Sequence, residues 1–127
     1  MITPIELWNA AEQLAEGSLD GDSEFARRLV ISRLYYAVFH SLQAAPATRS
    51  LPRATIDGGM HKAFIAAIKQ STDKHLRRAG QRLADLHQRR VDADYNLARP
   101  ISRMDVAEAR HAANAVRSLV AESETPA

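Results

Sequence analysis

The sequence predicts an all-α fold, an up-and-down bundle of about five helices forming one domain over residues 1–127. Three observations predict it. Apolar residues recur at three- and four-residue spacing in successive stretches, the period of helices with one face in a core. No stretch reads as a strand, and no internal repeat or low-complexity segment interrupts the pattern. The stretches are separated by short polar turns carrying glycine, proline or capping residues, which suits neighbouring helices in a bundle.

Helix one begins at Pro4, with Thr3 as N-cap and Glu6 completing a capping box. Ile5, Trp8, Ala11 and Ala15 form its apolar stripe, widened by Leu7 and Leu14, and Gly17 is a natural stop. A polar turn with Asp20 and Asp22 leads to helix two, from about Ser23 to Ala45, ended by Pro46. Residues 46–59 read as a loop. Helix three runs from Gly59 or Met60 to about Gln70, with Met60, Phe64, Ala67 and Ile68 on one face and His61 in its first turn. Ser71, Thr72 and Asp73 offer caps for helix four, whose stripe is Leu76, Ala79, Leu83 and Leu86. Continued, that stripe changes from leucines to ionisable residues: His87, Arg90 and Asp94. Arg78, Gln81, Arg82, Asp85, Arg89 and Asp92 form the opposite, solvent-facing side, and Gly80 weakens the helix. After Pro100, Ser102 and Asp105 cap helix five, where Val106, Ala109, Ala113, Val116 and Val120 keep 3-4 spacing. The tail 122–127 is polar and expected to fray.

Composition bounds the function. The apolar fraction of 46% and charged fraction of 25% are those of an ordinary globular protein. A formal net charge of +2 lacks the large excess of a strongly basic nucleic-acid binder. With no cysteine, disulfides, thiolate chemistry and cysteine-based zinc sites are excluded, which fits the cytoplasm. No window approaches the ~20 apolar residues of a membrane span, and the N-terminus lacks a basic-then-apolar leader. No phosphate-binding glycine loop, nucleophile elbow or His-Glu-x-x-His spacing is present, so neither a metal nor another cofactor is expected.

The scarce aromatics cluster at Tyr35, Tyr36 and Phe39, bracketed by Arg33 and His40. Seven residues is close to two helical turns, so Arg33 and His40 share a face about 10 Å apart along the axis. That helix reads as apolar on all sides and therefore buried, with small Ala26, Ala37 and Ala44 flanking Arg33 and allowing the approach of a second copy. Its charged face and the His87–Arg90–Asp94 stripe are the two candidate clusters, and His61 is a third candidate. Arg, His and Tyr together suit metal-independent RNA cleavage. An imidazole takes the proton of a ribose 2′-hydroxyl, and a guanidinium binds the phosphate and stabilises its growing charge. The same residues also suit a buried network in which arginine pairs with aspartate and the hydroxyls and imidazoles satisfy one another.

Ser32-Arg-x-Tyr-Tyr-Ala-x-Phe-His40, then His61 at a helix start, then Arg90-x-x-Ala-Asp-Tyr95, resembles the HEPN superfamily over about residues 6–120. The resemblance implies a small helical bundle that dimerises, with an active site composed across the dimer. It implies a metal-independent endoribonuclease or RNase-like toxin of a toxin–antitoxin or phage-defence system. It also implies RNA as substrate and a nucleotidyltransferase antitoxin or other defence protein as partner. The alternative is a non-catalytic HEPN module that binds nucleotide, RNA or protein. The family hallmark, Arg followed after four to six residues by His, is met by Arg33 with His40 and by Arg82 with His87. On a continuous helix, however, Arg82 and His87 lie about 140° apart. Arg90 is followed by Asp94 and Tyr95 and by no histidine. The expected catalytic residues are Arg33, His40, His87 and Arg90, and the expected substrate-binding residues are Tyr36, His61, Arg82, Asp94 and Tyr95.

Overall fold

The computed structural model describes residues 3–15, 23–49, 51 and 59–124. Five α-helices account for most of them: α1 (Pro4–Ala15), α2 (Glu24–Ala44), α3 (Gly59–Lys69), α4 (Lys74–Tyr95) and α5 (Arg103–Ser123). A short 3-10 turn, Pro46–Thr48, follows α2, and no strand occurs among the described residues. The all-α bundle is thus as the periodicity predicts. The Ala15 side chain, the Gly17 stop, the turn with Asp20 and Asp22, residues 52–58 of the loop and tail residues 125–127 lie outside the described residues. No described helix is long and apolar enough to cross a membrane.

The helix ends are set by the capping residues. The Thr3 hydroxyl accepts from the Glu6 backbone N–H at 3.3 Å. The Ser23 hydroxyl accepts from Ala26 at 3.1 Å, and Asp73 accepts from His75 and Leu76 at 2.8 and 3.0 Å. Ser102 and Asp105 form a reciprocal capping box, each side chain accepting the other's backbone N–H. Each such pair satisfies donors that a helix start leaves open. Gly59, at φ 89°, occupies the left-handed region that glycine tolerates best, and it starts α3 two residues before His61.

Helix α2 is the central element, packed against α1, α4 and α5. Its Val30, Ile31, Leu34, Tyr35, Val38, Phe39 and Leu42 are buried with Leu76, Leu83 and Leu86 of α4 and Val116 of α5. Yet α2 is not buried on all sides. Arg33 and His40 are exposed, because α1, α4 and α5 cover the other sides. Ala26 and Ala37, expected to flank an open face, are buried inside this chain's own bundle, and of the three alanines only Ala44 is exposed. Helix α1 presents Trp8 and Ala11 to the core while Ile5 stays 53% exposed, so its stripe is rotated toward Leu7 and Leu14. Arg117 of α5 caps the Trp8 ring at 4.2 Å, and Arg110 pairs with Glu12 at 2.6 Å.

Helices α4 and α5 run antiparallel. His75 at the start of α4 meets Glu122 near the end of α5 at 3.2 Å, and Arg89 late in α4 meets Asp105 early in α5 at 3.3 Å. The end of α4 is clamped by Arg28 of α2. Its Nη1 donates to the carbonyls of Asp92, Ala93 and Asn96, and its Nη2 to those of Leu97 and Arg99. Glu24 holds the same guanidinium at 2.8 Å. Arg27 adds a 2.7 Å bond to the Ile101 carbonyl. Together they fix the α4–α5 connection, and with it the positions of Asp94 and Tyr95.

Gly80 has a packing role. A Cβ there would stand 2.8 Å from the Lys69 backbone nitrogen and 3.0 Å from Ile68 Cγ2, so the missing side chain lets the end of α3 approach α4. Gly80→Ala gains ~1 kcal/mol of helix propensity but overpacks backbone that cannot turn aside. A net loss of about 1–2 kcal/mol is expected in urea unfolding. A more stable variant would show that α3 is free to move.

Candidate functional site

Three helices meet beside the buried aromatic row of α2. Tyr35 and Tyr36 come from α2, His61 from the first turn of α3, and His87, Arg90 and Asp94 from α4. The local sequence explains the convergence. Leu76, Ala79, Leu83 and Leu86 seat α4 on the core, and one helical period further the same face delivers His87, Arg90 and Asp94 toward α2. Phe64 and Ile68 seat α3, with Phe64 edge-on to Phe39 at 5.3 Å, and this sets His61 over Phe39 at 4.3 Å between ring centroids.

Arg90 is the hub. Its Nη2 donates to the Tyr36 hydroxyl, and its Nε lies 3.0 Å from Asp94 Oδ2. That buried N–H has no hydrogen-bond partner, so its contact with Asp94 is Coulombic rather than a directed hydrogen bond. Asp94 also accepts from the Ser32 hydroxyl at 3.2 Å. The guanidinium carbon lies 5.1 Å from the Tyr36 ring and 5.3 Å from the Tyr95 ring, within cation–π range.

Around this hub stand two half-buried imidazoles and one at the rim. His61 and His87 are nearly parallel, 6.0 Å apart at 23°, with Tyr35 5.6 Å from the first and 5.2 Å from the second. The Tyr35 hydroxyl lies 2.7 Å from His61 Nδ1. His40, exposed, lies beside Tyr36 at 6.3 Å and 23°. Burial pushes the Tyr35 phenol well above its ordinary value, so it stays protonated. Burial first, then the Arg90 charge and His40, hold His61 below the ordinary 6.5. Burial, then His61, Arg90 and Lys62, hold His87 below it too. Both imidazoles are therefore neutral near pH 7.

These shifts have a consequence for stability. Below the ordinary histidine value the unfolded chain binds more protons at these two sites than the folded chain does. Stability is therefore full above about pH 6.5 and declines as the pH falls toward the folded-state values. Denaturant midpoints should drop between pH 7 and 5.5, and the drop should shrink in His87→Gln. An unchanged pH dependence in that variant would show that His87 does not titrate differently on folding.

Of the residues singled out in the sequence, Tyr36, His61, His87, Arg90 and Asp94 come together, with His40 and Tyr95 at the rim. Arg33 is exposed and enters none of these contacts. Arg82 lies elsewhere: with Asp85, Arg99, Glu108 and His111 it lines a separate groove of about 660 Å³ between α4 and α5. The 140° helical offset from His87 is the reason. Tyr35 and Ser32, part of the motif but not among the expected site residues, join the cluster. The signal for Tyr35 was available, since a buried phenol needs a hydrogen-bond partner. Among the described residues no set of three His, Asp or Glu side chains is arranged to hold a metal ion. The arrangement offers one cation, two neutral imidazoles, a carboxylate and hydroxyls on a face with open members, a set suited to an anionic ligand and to proton transfer. No family model, curated protein or solved structure matches this chain.

Proposed function

We propose that this chain is a HEPN-type domain and a metal-independent endoribonuclease or RNase-like toxin of the cytoplasm, in a toxin–antitoxin or phage-defence setting. The observation that carries the reading is the convergence of Arg90 with the neutral imidazoles of His61 and His87 beside the rim histidine His40. In this reading Arg90 binds a phosphodiester and opposes the charge that builds on it. His87 takes the proton of the ribose 2′-hydroxyl, and the 2′-oxygen attacks phosphorus. The bond to the 5′-oxygen breaks, and that oxygen takes a proton delivered by His40, the general acid of this reading. The products are a 2′,3′-cyclic phosphate and a 5′-hydroxyl. In this reading Arg33, exposed on α2, serves a second copy of the chain, and the proposed form is a homodimer. A nucleotidyltransferase antitoxin or another defence protein is the proposed partner.

The purified chain should cleave RNA in EDTA and leave cyclic-phosphate ends. His87→Ala and His40→Ala should each lower the rate by about 10²–10⁴, and Arg82→Ala should leave it unchanged. Intact RNA would overturn the enzymatic reading, and a strictly monomeric species in sedimentation at micromolar concentration would overturn the shared site.

A second reading has its own observation. The Arg90 side chain is only 12% exposed and is already engaged by Asp94 and Tyr36. An arginine so occupied suits a non-catalytic module that binds nucleotide, RNA or a protein partner. Calorimetric binding of RNA without cleavage would select it.

A further inference from the structure

The Tyr35–His61 pair lies at the base of the cluster, and its chemistry is fixed by burial. Tyr35 is 0% exposed. Among the described residues its hydroxyl has one hydrogen-bond partner, His61 Nδ1 at 2.7 Å. A buried O–H without an acceptor is costly, and a phenol held protonated must place its hydrogen somewhere. The available acceptor is the Nδ1 lone pair. A neutral imidazole that accepts at Nδ1 carries its own hydrogen on Nε2. In the ring that nitrogen lies across from Nδ1 and so is aimed away from Tyr35.

We propose that Tyr35 is a positioning residue that locks His61 as the neutral Nε2–H imidazole, and that His61 acts with Arg90 as a neutral hydrogen-bond donor to a phosphodiester oxygen. The ligand half of this inference rests on the RNA reading above, and the tautomer half does not. His61 is thereby separated in role from His87: it binds and does not exchange protons. Protonating it would put a hydrogen on Nδ1 facing the Tyr35 O–H and turn that hydroxyl away from its acceptor. The Arg90 charge and His40 act in the same direction. Tyr35, Tyr36 and His40 face it from α2, and His87 and Arg90 from α4, while Lys62 follows it on α3. No carboxylate is among them.

The charge of the cluster selects the class of anion. With His61 and His87 neutral, Arg90 and Lys62 supply two positive charges and Asp94 removes one, so these groups sum to +1. A phosphodiester carries one negative charge and matches it. Inorganic phosphate carries a second near neutral pH and is matched less well.

The test is long-range proton–nitrogen NMR on the 15N-labelled full chain at neutral pH. Wild-type His61 should show an unprotonated Nδ1 and a protonated Nε2. The reverse tautomer, or an averaged mixture, would overturn the lock. Tyr35→Phe keeps the ring and removes the hydroxyl, so it should give an averaged mixture and raise the His61 pKa toward its ordinary value. Unchanged signals in that variant would also overturn the proposal, and if the variant fails to fold, the wild-type spectrum alone decides. A fully 2′-O-methylated oligoribonucleotide, which cannot be cleaved, should move the His61 Nε2 signal. Inorganic phosphate at equal concentration should not. No response to the oligonucleotide, or an equal response to phosphate, would overturn the ligand assignment. Loss of cleavage activity with the tautomer intact would count against the enzyme reading and leave the lock standing.

Discussion

Arg28→Ala should lower the unfolding free energy by about 3 kcal/mol, the largest effect expected of any change outside the apolar core. The side chain is 13% exposed and donates to five backbone carbonyls between Asp92 and Arg99. Helix α4 ends at Tyr95, so its last carbonyls have no partner within the helix, and the negative end of the helix dipole collects there. A guanidinium is the one side chain able to reach several of these oxygens at once. Bonds from a charged donor contribute about 1.5–3 kcal/mol each, but here they share one group, and water can replace part of them at the exposed residues 96–99. Arg28→Lys supplies the charge without the fork and should recover less than half of the loss. Urea unfolding measures both variants. Amide exchange should rise over residues 92–101 and not over α1. A loss below about 1 kcal/mol would mean that solvent satisfies these carbonyls as well as Arg28 does.

No sequence pattern announces this clamp. Its acceptors are backbone oxygens 64 to 71 residues away, and every residue has one, so the partner leaves no mark on composition or spacing. Features that are local or periodic were legible. Thr3, Asp73 and Ser102 sit where caps belong, and each accepts an N–H of the helix it starts. The change from leucine to His87, Arg90 and Asp94 on α4 located half of the cluster, because a helix keeps its face over several turns. Arg33 and His40 show the limit of that logic. Spacing put them on one face of α2, but which face lies open depends on where three other helices pack. Gly80 shows it again. Propensity marks it as a weak point, and only the approach of Lys69 makes it a requirement. Tyr35 reads from the sequence as one member of an aromatic cluster, and its hydroxyl acquires meaning once α3 brings His61 within 2.7 Å.

Arg90→Met should lower RNA cleavage by about 10²–10³ while raising the pKa of both His61 and His87. Methionine retains much of the aliphatic bulk and removes the charge. The phosphate then loses its cationic partner. The two imidazoles lose a repulsion that helps hold them neutral, although burial, the larger cause, remains, so the rise is partial. Asp94 is left with Ser32 alone, and the Tyr36 hydroxyl loses its donor. For a carboxylate 27% exposed, a stability loss of about 2 kcal/mol is expected. Arg90→Met with Asp94→Asn should recover part of it, since the unpaired charge is then gone. The pattern of responses separates the two readings of the cluster. If Arg90 belongs only to a buried network, stability falls, the imidazole pKa values rise, and RNA binding and cleavage by the folded fraction stay as they were. If it contacts phosphate, the folded variant binds RNA more weakly, and the dependence of binding on salt flattens by about one phosphate contact. NMR titration of the histidines, urea unfolding and RNA binding at two salt concentrations, all on one variant, therefore show whether Arg90 acts on the fold alone or on a ligand as well.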